Sequence, residues 1–242
     1  MYQTLECLTL RTVRYDDRRS IVAAWSRQVG RLSLAVPDGS GREARRRRAL
    51  MMPLSLFAGE VDIRPGRDIH AIRDVRPLAV AADTASDPAK SVVALFLAEA
   101  LERLLRIPAA DETLTAFIFD AVGRLNRLSS AAAVANFPII FLSRLAAYLG
   151  IAPDPTQWRP GSWLDLAEGI YRSTPPMSGP YLDPAQSAVA AMVGRLGFDS
   201  GRRMRLPRPL RREILDRILE YYTLHYTRLD NLNSLPVVKE IF

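Results

Sequence analysis

Arginine is concentrated in residues 38–50, whose sequence is DGSGREARRRRAL. Four of its arginines are consecutive, and cations this close repel one another on a protein surface. A polyanion would neutralise them and release its own condensed counterions, so this stretch is a candidate for binding phosphates. A solvated charge run is the alternative, and Gly39 and Gly41 predict a mobile loop. The candidate residues are Arg42, Arg45, Arg46, Arg47 and Arg48.

Aromatic side chains lie among further arginines earlier in the chain. Proteins that bind single strands combine a basic groove with aromatic rings on which bases stack. Tyr15 lies beside two aspartates at a predicted strand end, where we expect it to be exposed. Trp25 lies on an alternating strand, so it either stacks on a base or fills the core. The candidates from this region are Arg27, Arg31, Tyr15 and Trp25.

A second basic cluster precedes the last long helical segment, in the sequence GRRMRLPRPLRRE of residues 201–213. Part of its charge lies at a predicted helix N-terminus, where the helix dipole disfavours cations. A sequence that tolerates this cost is consistent with an anionic partner, whereas a solvated loop is the alternative. The candidate residues are Arg202, Arg203 and Arg205.

The overall charge of the chain also favours an anionic partner. The formal net charge is +7 and the pI is about 10.0, which raises the affinity for polyanions. Lys90 and Lys239 are the only lysines. The arginine bias fits a GC-rich genome, but it also suits phosphate, since a guanidinium group can bond two oxygen atoms.

Patterns that would indicate an enzyme or a metal site are missing from the sequence. There is no phosphate-binding GxxxxGK[ST] loop, and Cys7 is the single cysteine, so we expect no cofactor and no metal. The carboxylates Asp16, Asp17 and Asp62 could be read as a two-metal nuclease site, but a role in turns fits them better, since adjacent aspartates at a strand end point to opposite faces. No apolar run reaches the length of a membrane span, and the first residues are polar where a secretory signal would be apolar, which predicts a cytoplasmic protein without a membrane partner.

The first 80 residues are predicted to form β-strands. Apolar runs or alternation predict strands at residues 4–15, 21–27, 31–36, 51–64 and 68–75, with turn signals between them. Five strands in this length predict an OB-fold barrel in a domain of residues 1–80. A barrel of the SH3 type has a similar profile and stays open as an alternative.

The rest of the chain, residues 81–242, is predicted to be a helical domain. Helices are predicted at residues 88–106, 111–128, 133–149, 184–196, 207–226 and 235–242. Asp87 and Asp183 each precede a proline as expected N-caps, and Gly150 is an expected helix stop. Residues 151–182 are predicted to be a long irregular excursion. The fold class is therefore α+β, an N-terminal OB-fold barrel followed by an all-α helical domain.

Three stretches resemble the RecO family of bacterial recombination mediators. They are RTVRYDDRRSIVAAWSRQVGRLSLAV in the barrel segment, KSVVALFLAEALERLLRI at residues 90–107, and the C-terminal YYTLHYTRLDNLNSLPVVKEIF. The resemblance implies binding of single- and double-stranded DNA at the nucleoid and annealing of strands coated by single-strand-binding protein. It also implies RecA loading with RecR, and capture of the acidic C-terminal tail of single-strand-binding protein by the helical domain. Phe137, Phe141 and Arg144 are candidates for that tail, with core packing as the alternative for both phenylalanines.

The resemblance has one departure. Many members of that family carry a four-cysteine zinc site in the excursion, whereas residues 164–182 contain no cysteine here, which places the chain in a zinc-less subgroup. Two other functions stay open. One is an interaction scaffold whose barrel binds a protein, and the other is a nuclease or RNA-acting enzyme that depends on a divalent metal.

Overall fold

The N-terminal part of the computed structural model is a closed five-stranded barrel. The structure describes residues 2–78, 86–106, 111–229 and 231–241. The strands pair in the order β1-β2-β3-β5-β4, and only the β3–β5 pair is parallel. This order confirms the predicted OB-fold. Their bounds are β1 (Tyr2–Arg14), β2 (Arg19–Ser26), β3 (Gly30–Pro37), β4 (Leu56–Asp62) and β5 (Ile69–Pro77).

The mobile loop predicted between β3 and β4 is wrong, because Arg42–Leu50 form a helix, α1. Arginine and alanine are good helix formers, and Ala44 and Leu50 provide buried apolar contacts. The hydroxyl groups of Thr9 and Thr12 donate to the carbonyl oxygens of Leu50 and Met51, at 3.2 and 2.7 Å. These bonds fix the end of α1 to β1.

Two further helices belong to the same compact unit as the barrel and α1, which comprises Met1–Arg127. They are α2 (Pro88–Leu104) and α3 (Glu112–Arg127). The Asp87 carboxylate accepts the backbone N–H groups of Ala89 and Lys90, as predicted for an N-cap. Secondary structure thus changes near residue 80 while the compact unit continues to residue 127, and the domain boundary at 80 stays a prediction.

The second compact unit, Leu128–Phe242, is mainly helical. The predicted cap at Asp183 is a full capping box with Gln186, and Gly150 follows the first helix with a φ of 72°. Residues 151–182 contain a small antiparallel sheet that the sequence did not predict. The elements are α4 (Ala131–Tyr148), β6 (Trp163–Asp165), β7 (Ile170–Arg172), β8 (Tyr181–Leu182), α5 (Pro184–Arg195), α6 (Arg208–His225) and α7 (Leu235–Ile241), with 3-10 turns at Pro155–Gln157 and Phe198–Ser200.

Helix α4 is the one described helix whose length and composition would allow it to cross a membrane. Its apolar window is 61% buried inside the structure. A buried core helix passes the same test, so α4 is only weak support for a membrane span.

Candidate nucleic-acid interface

The β1–β2 turn and α1 lie together at one end of the barrel. The backbone N–H of Asp38 donates to the carbonyl oxygen of Arg18 at 2.7 Å, and the Ser20 hydroxyl lies 3.3 Å from the Asp38 carboxylate. Arg19 is also paired with Pro37 in the β2–β3 ladder. We call this surface the basic end. Its members are Arg14, Tyr15, Arg18, Arg19, Arg42, Arg45, Arg46, Arg47 and Arg48.

Two arginines of α1 hold the helix onto the end of β3. Arg47 Nε donates to the carbonyl oxygen of Pro37 at 2.8 Å, and Arg48 Nη1 donates to the Asp38 carboxylate at 2.7 Å. The Gly39 backbone N–H and the Arg48 guanidinium lower the pKa of Asp38, since both hydrogen bonds favour the carboxylate. Arg47 and Arg48 are therefore already engaged with the protein.

The other three arginines of α1 face solvent. Arg42, Arg45 and Arg46 are spaced i, i+3 and i+4, which places them on one side of the helix, and all three are exposed. Within the described ranges, their side chains have no hydrogen bond or ion pair, and the same is true of Arg18 at the adjoining turn. Four guanidinium groups at the basic end are thus available to an external anion.

Tyr15 is exposed, as expected, with 67% of its surface accessible. The guanidinium of Arg19 lies 5.6 Å from the centre of its ring. An exposed aromatic ring among arginines is the arrangement on which an unpaired base can stack.

Asp62 lies at the opposite end of β1 from Asp16 and Asp17, so these aspartates do not form one nuclease site. Asp16 accepts the Arg18 backbone N–H at 2.8 Å and is ion-paired with Arg19, so it shapes the β1–β2 turn. Asp62 is paired with Tyr2 at the opposite end of β1. Among the described residues, no group of three His, Cys, Asp or Glu side chains could hold a metal ion.

Trp25 is a core residue, which corrects its assignment as a stacking platform. Its side chain is 2% exposed, and its Nε1 atom donates to the Thr115 hydroxyl of α3 at 2.9 Å. A base cannot reach this ring, because α3 covers the face of β2 on which it lies. Of the two roles that the sequence allowed for Trp25, base stacking and core packing, the structure shows core packing.

Arg27 and Arg31 lie at the same covered face and bond protein groups there, so the structure does not favour the prediction that they contact DNA. Arg27 Nε donates to Glu6 at 2.8 Å, and its guanidinium lies 4.8 Å from the centre of the Phe119 ring. Arg31 Nη1 donates to the carbonyl oxygen of Glu102, at the end of α2, at 2.6 Å. OB-folds commonly bind oligonucleotides across strands 2 and 3, but here helices cover this part of the barrel.

The second basic cluster divides into exposed and engaged arginines. Arg202, Arg203 and Arg205 are exposed on a turn before α6. Arg212 Nε donates to the carbonyl oxygen of Lys239, and Arg208 donates to that of Glu240, so both satisfy carbonyl groups in the last turn of α7. Only the first three are placed to meet a partner.

Phe137 and Phe141 are buried in the core of the second unit. They are 2% and 1% exposed, and Phe137 stacks on Phe198 with ring centres 5.0 Å apart. A peptide cannot contact them in this structure, so core packing describes both and the assignment to a partner tail is corrected. Arg144 is more accessible, and its Nη1 atom lies 3.4 Å from the carbonyl oxygen of Leu196.

The second unit contains a mainly apolar cavity of about 360 Å³ that sequence reasoning missed. Arg144 and Arg217 contribute charge to its wall. The lining comes from α4, all three strands of the small sheet, α5, α6 and residues 152–155, and no single segment of the sequence carries a pattern for it. Its apolar wall includes Leu142, Ala147, Leu164, Leu182, Ile214 and Tyr222.

The fold and these surfaces define an OB-fold protein with a helical second unit and exposed arginines on both. Residues 85–236 match the family model described as "Recombination protein O C terminal". Proteins named "DNA repair protein RecO" are similar over nearly the whole chain. The one from Porphyromonas gingivalis is 32% identical over 97% of both chains, and those from Phocaeicola vulgatus and Bacteroides fragilis are each 29% identical over 100% of both. The chain belongs to the RecO family.

Proposed function

We propose that this protein acts in DNA repair and recombination by binding DNA at the basic end of its barrel, without chemistry of its own. The observation that supports this most directly is the set of exposed guanidinium groups of Arg18, Arg42, Arg45 and Arg46. Within the described residues they have no internal anion, so phosphate oxygens would be their first strong partners. Tyr15 beside them would stack on an unpaired base.

Mainly electrostatic binding follows from this surface. Each phosphate that an arginine neutralises releases a condensed counterion, so affinity falls with salt. A surface that neutralises phosphates also lowers the repulsion between two strands, which favours annealing without nucleotide hydrolysis. In this proposal the protein anneals strands coated by single-strand-binding protein and, with RecR, assists RecA loading in the cytoplasm at the nucleoid.

The test replaces the three outward arginines of α1, as Arg42→Ala, Arg45→Ala and Arg46→Ala together. Log affinity for a labelled single strand is measured against log salt concentration. The slope is expected to fall by about 2, since each single-strand phosphate contact contributes about 0.7. The control replaces three exposed arginines elsewhere on the unit, Arg67, Arg76 and Arg106, and removes the same total charge. Equal slopes for the two variants would refute the role of α1.

The cavity in the second unit supports the further proposal of a site for an acidic peptide that ends in an apolar residue. An apolar wall buries such a side chain, and Arg144 and Arg217 would pair with carboxylates. This is the chemistry that capture of the acidic tail of single-strand-binding protein requires. Arg144 remains in the proposed site, whereas Phe137 and Phe141 do not line the cavity.

A bulky side chain in the wall tests this site. Ala147 is exposed on the cavity wall, so Ala147→Trp should fill the cavity without disturbing the core. A fluorescent acidic peptide with a terminal phenylalanine should lose affinity for this variant, while DNA affinity stays unchanged. Ala185→Trp, on an exposed position of α5 outside the cavity wall, is the control. Unchanged peptide binding by Ala147→Trp would place the tail elsewhere.

Two assays separate this function from the rival functions. Annealing of coated complementary strands should depend on the acidic tail, whereas a scaffold would bind RecR or the tail without annealing. Incubation of labelled strands with the protein and magnesium should leave them intact. Cleavage in that assay would indicate a nuclease and would overturn the non-enzymatic proposal.

A further inference from the structure

The turn of residues 201–206 is built around one buried side chain. Asn136 of α4 is fully buried, and its Nδ2 atom donates to the carbonyl oxygens of Gly201 and Met204, at 2.9 and 2.7 Å. Its Oδ1 atom accepts Arg211 Nε at 2.9 Å. A buried amide with its hydrogen bonds made fixes the path of the backbone. This turn is therefore held in one shape, unlike a solvated loop.

That shape sends the apolar and basic side chains of the turn in opposite directions. Met204 and Leu206 are buried, whereas Arg202, Arg203 and Arg205 are exposed. In the part of the chain that the structure describes, these three arginines have no side-chain hydrogen bond or ion pair. The turn thus holds three cations outward on a fixed backbone, while its own two large apolar side chains are buried.

We propose that this turn is a second surface for the phosphates of a DNA strand, independent of the basic end, so that one chain holds two strands at once. The inference rests on the proposed function, since it takes DNA as the ligand. It adds a second bound DNA strand to each protein chain. It also makes Asn136 the residue that positions the turn of residues 201–206. Binding two strands on one chain would convert their encounter into an intramolecular event, which raises their effective concentration.

The exposed chemistry favours a nucleic acid strand over an acidic peptide with an apolar end. Such a peptide needs a place for its apolar side chain, and Met204 and Leu206 are turned inward. A strand backbone presents only repeated phosphates, for which three fixed guanidinium groups are sufficient. The surface should therefore bind without regard to base sequence.

The experiment measures bridging between two strands that cannot pair. Biotinylated oligothymidine is immobilised, the protein is bound to it, and capture of a second, fluorescent oligothymidine is recorded. The variants are Arg202→Ala, Arg203→Ala and Arg205→Ala together, the triple variant of Arg42, Arg45 and Arg46, and the control triple of Arg67, Arg76 and Arg106. The native protein and the control should capture the second strand. Each test variant should bind the first strand but lose capture of the second, with its salt slope reduced by about 2.

The outcomes distinguish this inference from the proposed function. If the native protein binds one strand but never bridges, or if the variant at residues 202–205 bridges normally, the second surface does not exist. If the control variant loses bridging equally, only net charge acts and the inference fails. If the variant loses acidic peptide instead of DNA, the turn binds protein and the inference also fails. Absence of binding to even one strand would overturn the proposed function itself.

Discussion

The two ends of the barrel both carry arginines, but these side chains differ in how many have a partner within the protein. At the basic end, Arg18, Arg42, Arg45 and Arg46 have no side-chain partner within the described residues. At the other end, which we call the mixed end, each of three arginines meets a carboxylate. The pairs are Arg27 with Glu6 at 2.8 Å, Arg64 with Asp62 at 2.5 Å and Arg73 with Glu60 at 2.8 Å.

This contrast shows that arginine content alone does not locate a binding surface. An arginine that already bonds a carboxylate must exchange that partner for phosphate, so its net gain on binding DNA is small. An arginine without an internal partner gains the whole interaction. In the proposed function, the position of the acidic residues therefore decides which end is available to a polyanion.

The largest expected effect concerns Trp25, on the face of the barrel that helices cover. We expect this face to stabilise the fold and not to contact DNA. Trp25→Ala should lower the free energy of unfolding by about 3–5 kcal/mol, since it opens a cavity between the barrel and α3. Trp25→Phe removes mainly the hydrogen bond to Thr115 and should cost about 1 kcal/mol. Urea unfolding measures both. The DNA salt slope of Trp25→Phe should equal that of the native protein, and a reduced slope would show that this face is open to DNA.

A smaller effect is expected from the two engaged arginines of α1. Arg47→Ala and Arg48→Ala together should lower the free energy of unfolding by about 1 kcal/mol, because bonds to Pro37 and Asp38 are lost at a partly exposed site. The salt slope should change less than in the triple variant of Arg42, Arg45 and Arg46. The reverse order of slopes would mean that Arg47 and Arg48 leave the barrel to contact phosphate.

Acid should loosen the attachment of α1. The pKa of Asp38 is lowered by its bonds to Gly39 and Arg48, so its stabilising contribution is complete above about pH 4, the ordinary carboxyl value. That contribution is lost as the pH falls through the lower pKa of the folded state. Asp38→Asn should therefore lose less stability between neutral and acidic pH than the native protein does. Asp17→Asn is the control, since the Asp17 side chain is 95% exposed, and an equal response from both variants would exclude Asp38.

The smallest expected effect tests whether ion pairing with carboxylates prevents the arginines of the mixed end from binding DNA. Glu6→Gln and Glu60→Gln together release Arg27 and Arg73 from carboxylates that are themselves partly exposed, so each pair should contribute less than about 1 kcal/mol. The salt slope for DNA should rise only slightly, since Arg27 still lies against Phe119 and Arg73 still lies against Tyr2. A slope that does not change would show that geometry, and not pairing, excludes DNA from this end.

Local signals in the sequence determined the order of strands and helices. Alternation of apolar residues marked the barrel strands, and the Asp-Pro pairs at residues 87 and 183 marked two helix starts. These features act within a few residues of the chain, so the pattern alone is enough to reveal them. The same is true of the excess of arginine and of the absence of cysteine from residues 164–182.

Tertiary structure alone decided which of these residues can meet a partner. Residues 42–50 are a helix because Leu50 packs in the barrel core and hydroxyl groups of β1 bond the carbonyl oxygens of Leu50 and Met51, which the glycines before them did not indicate. Trp25 and Arg31 are unavailable because helices more than 70 residues away pack over them. Exposure and ion pairing depend on contacts between distant segments, and no local pattern records those contacts.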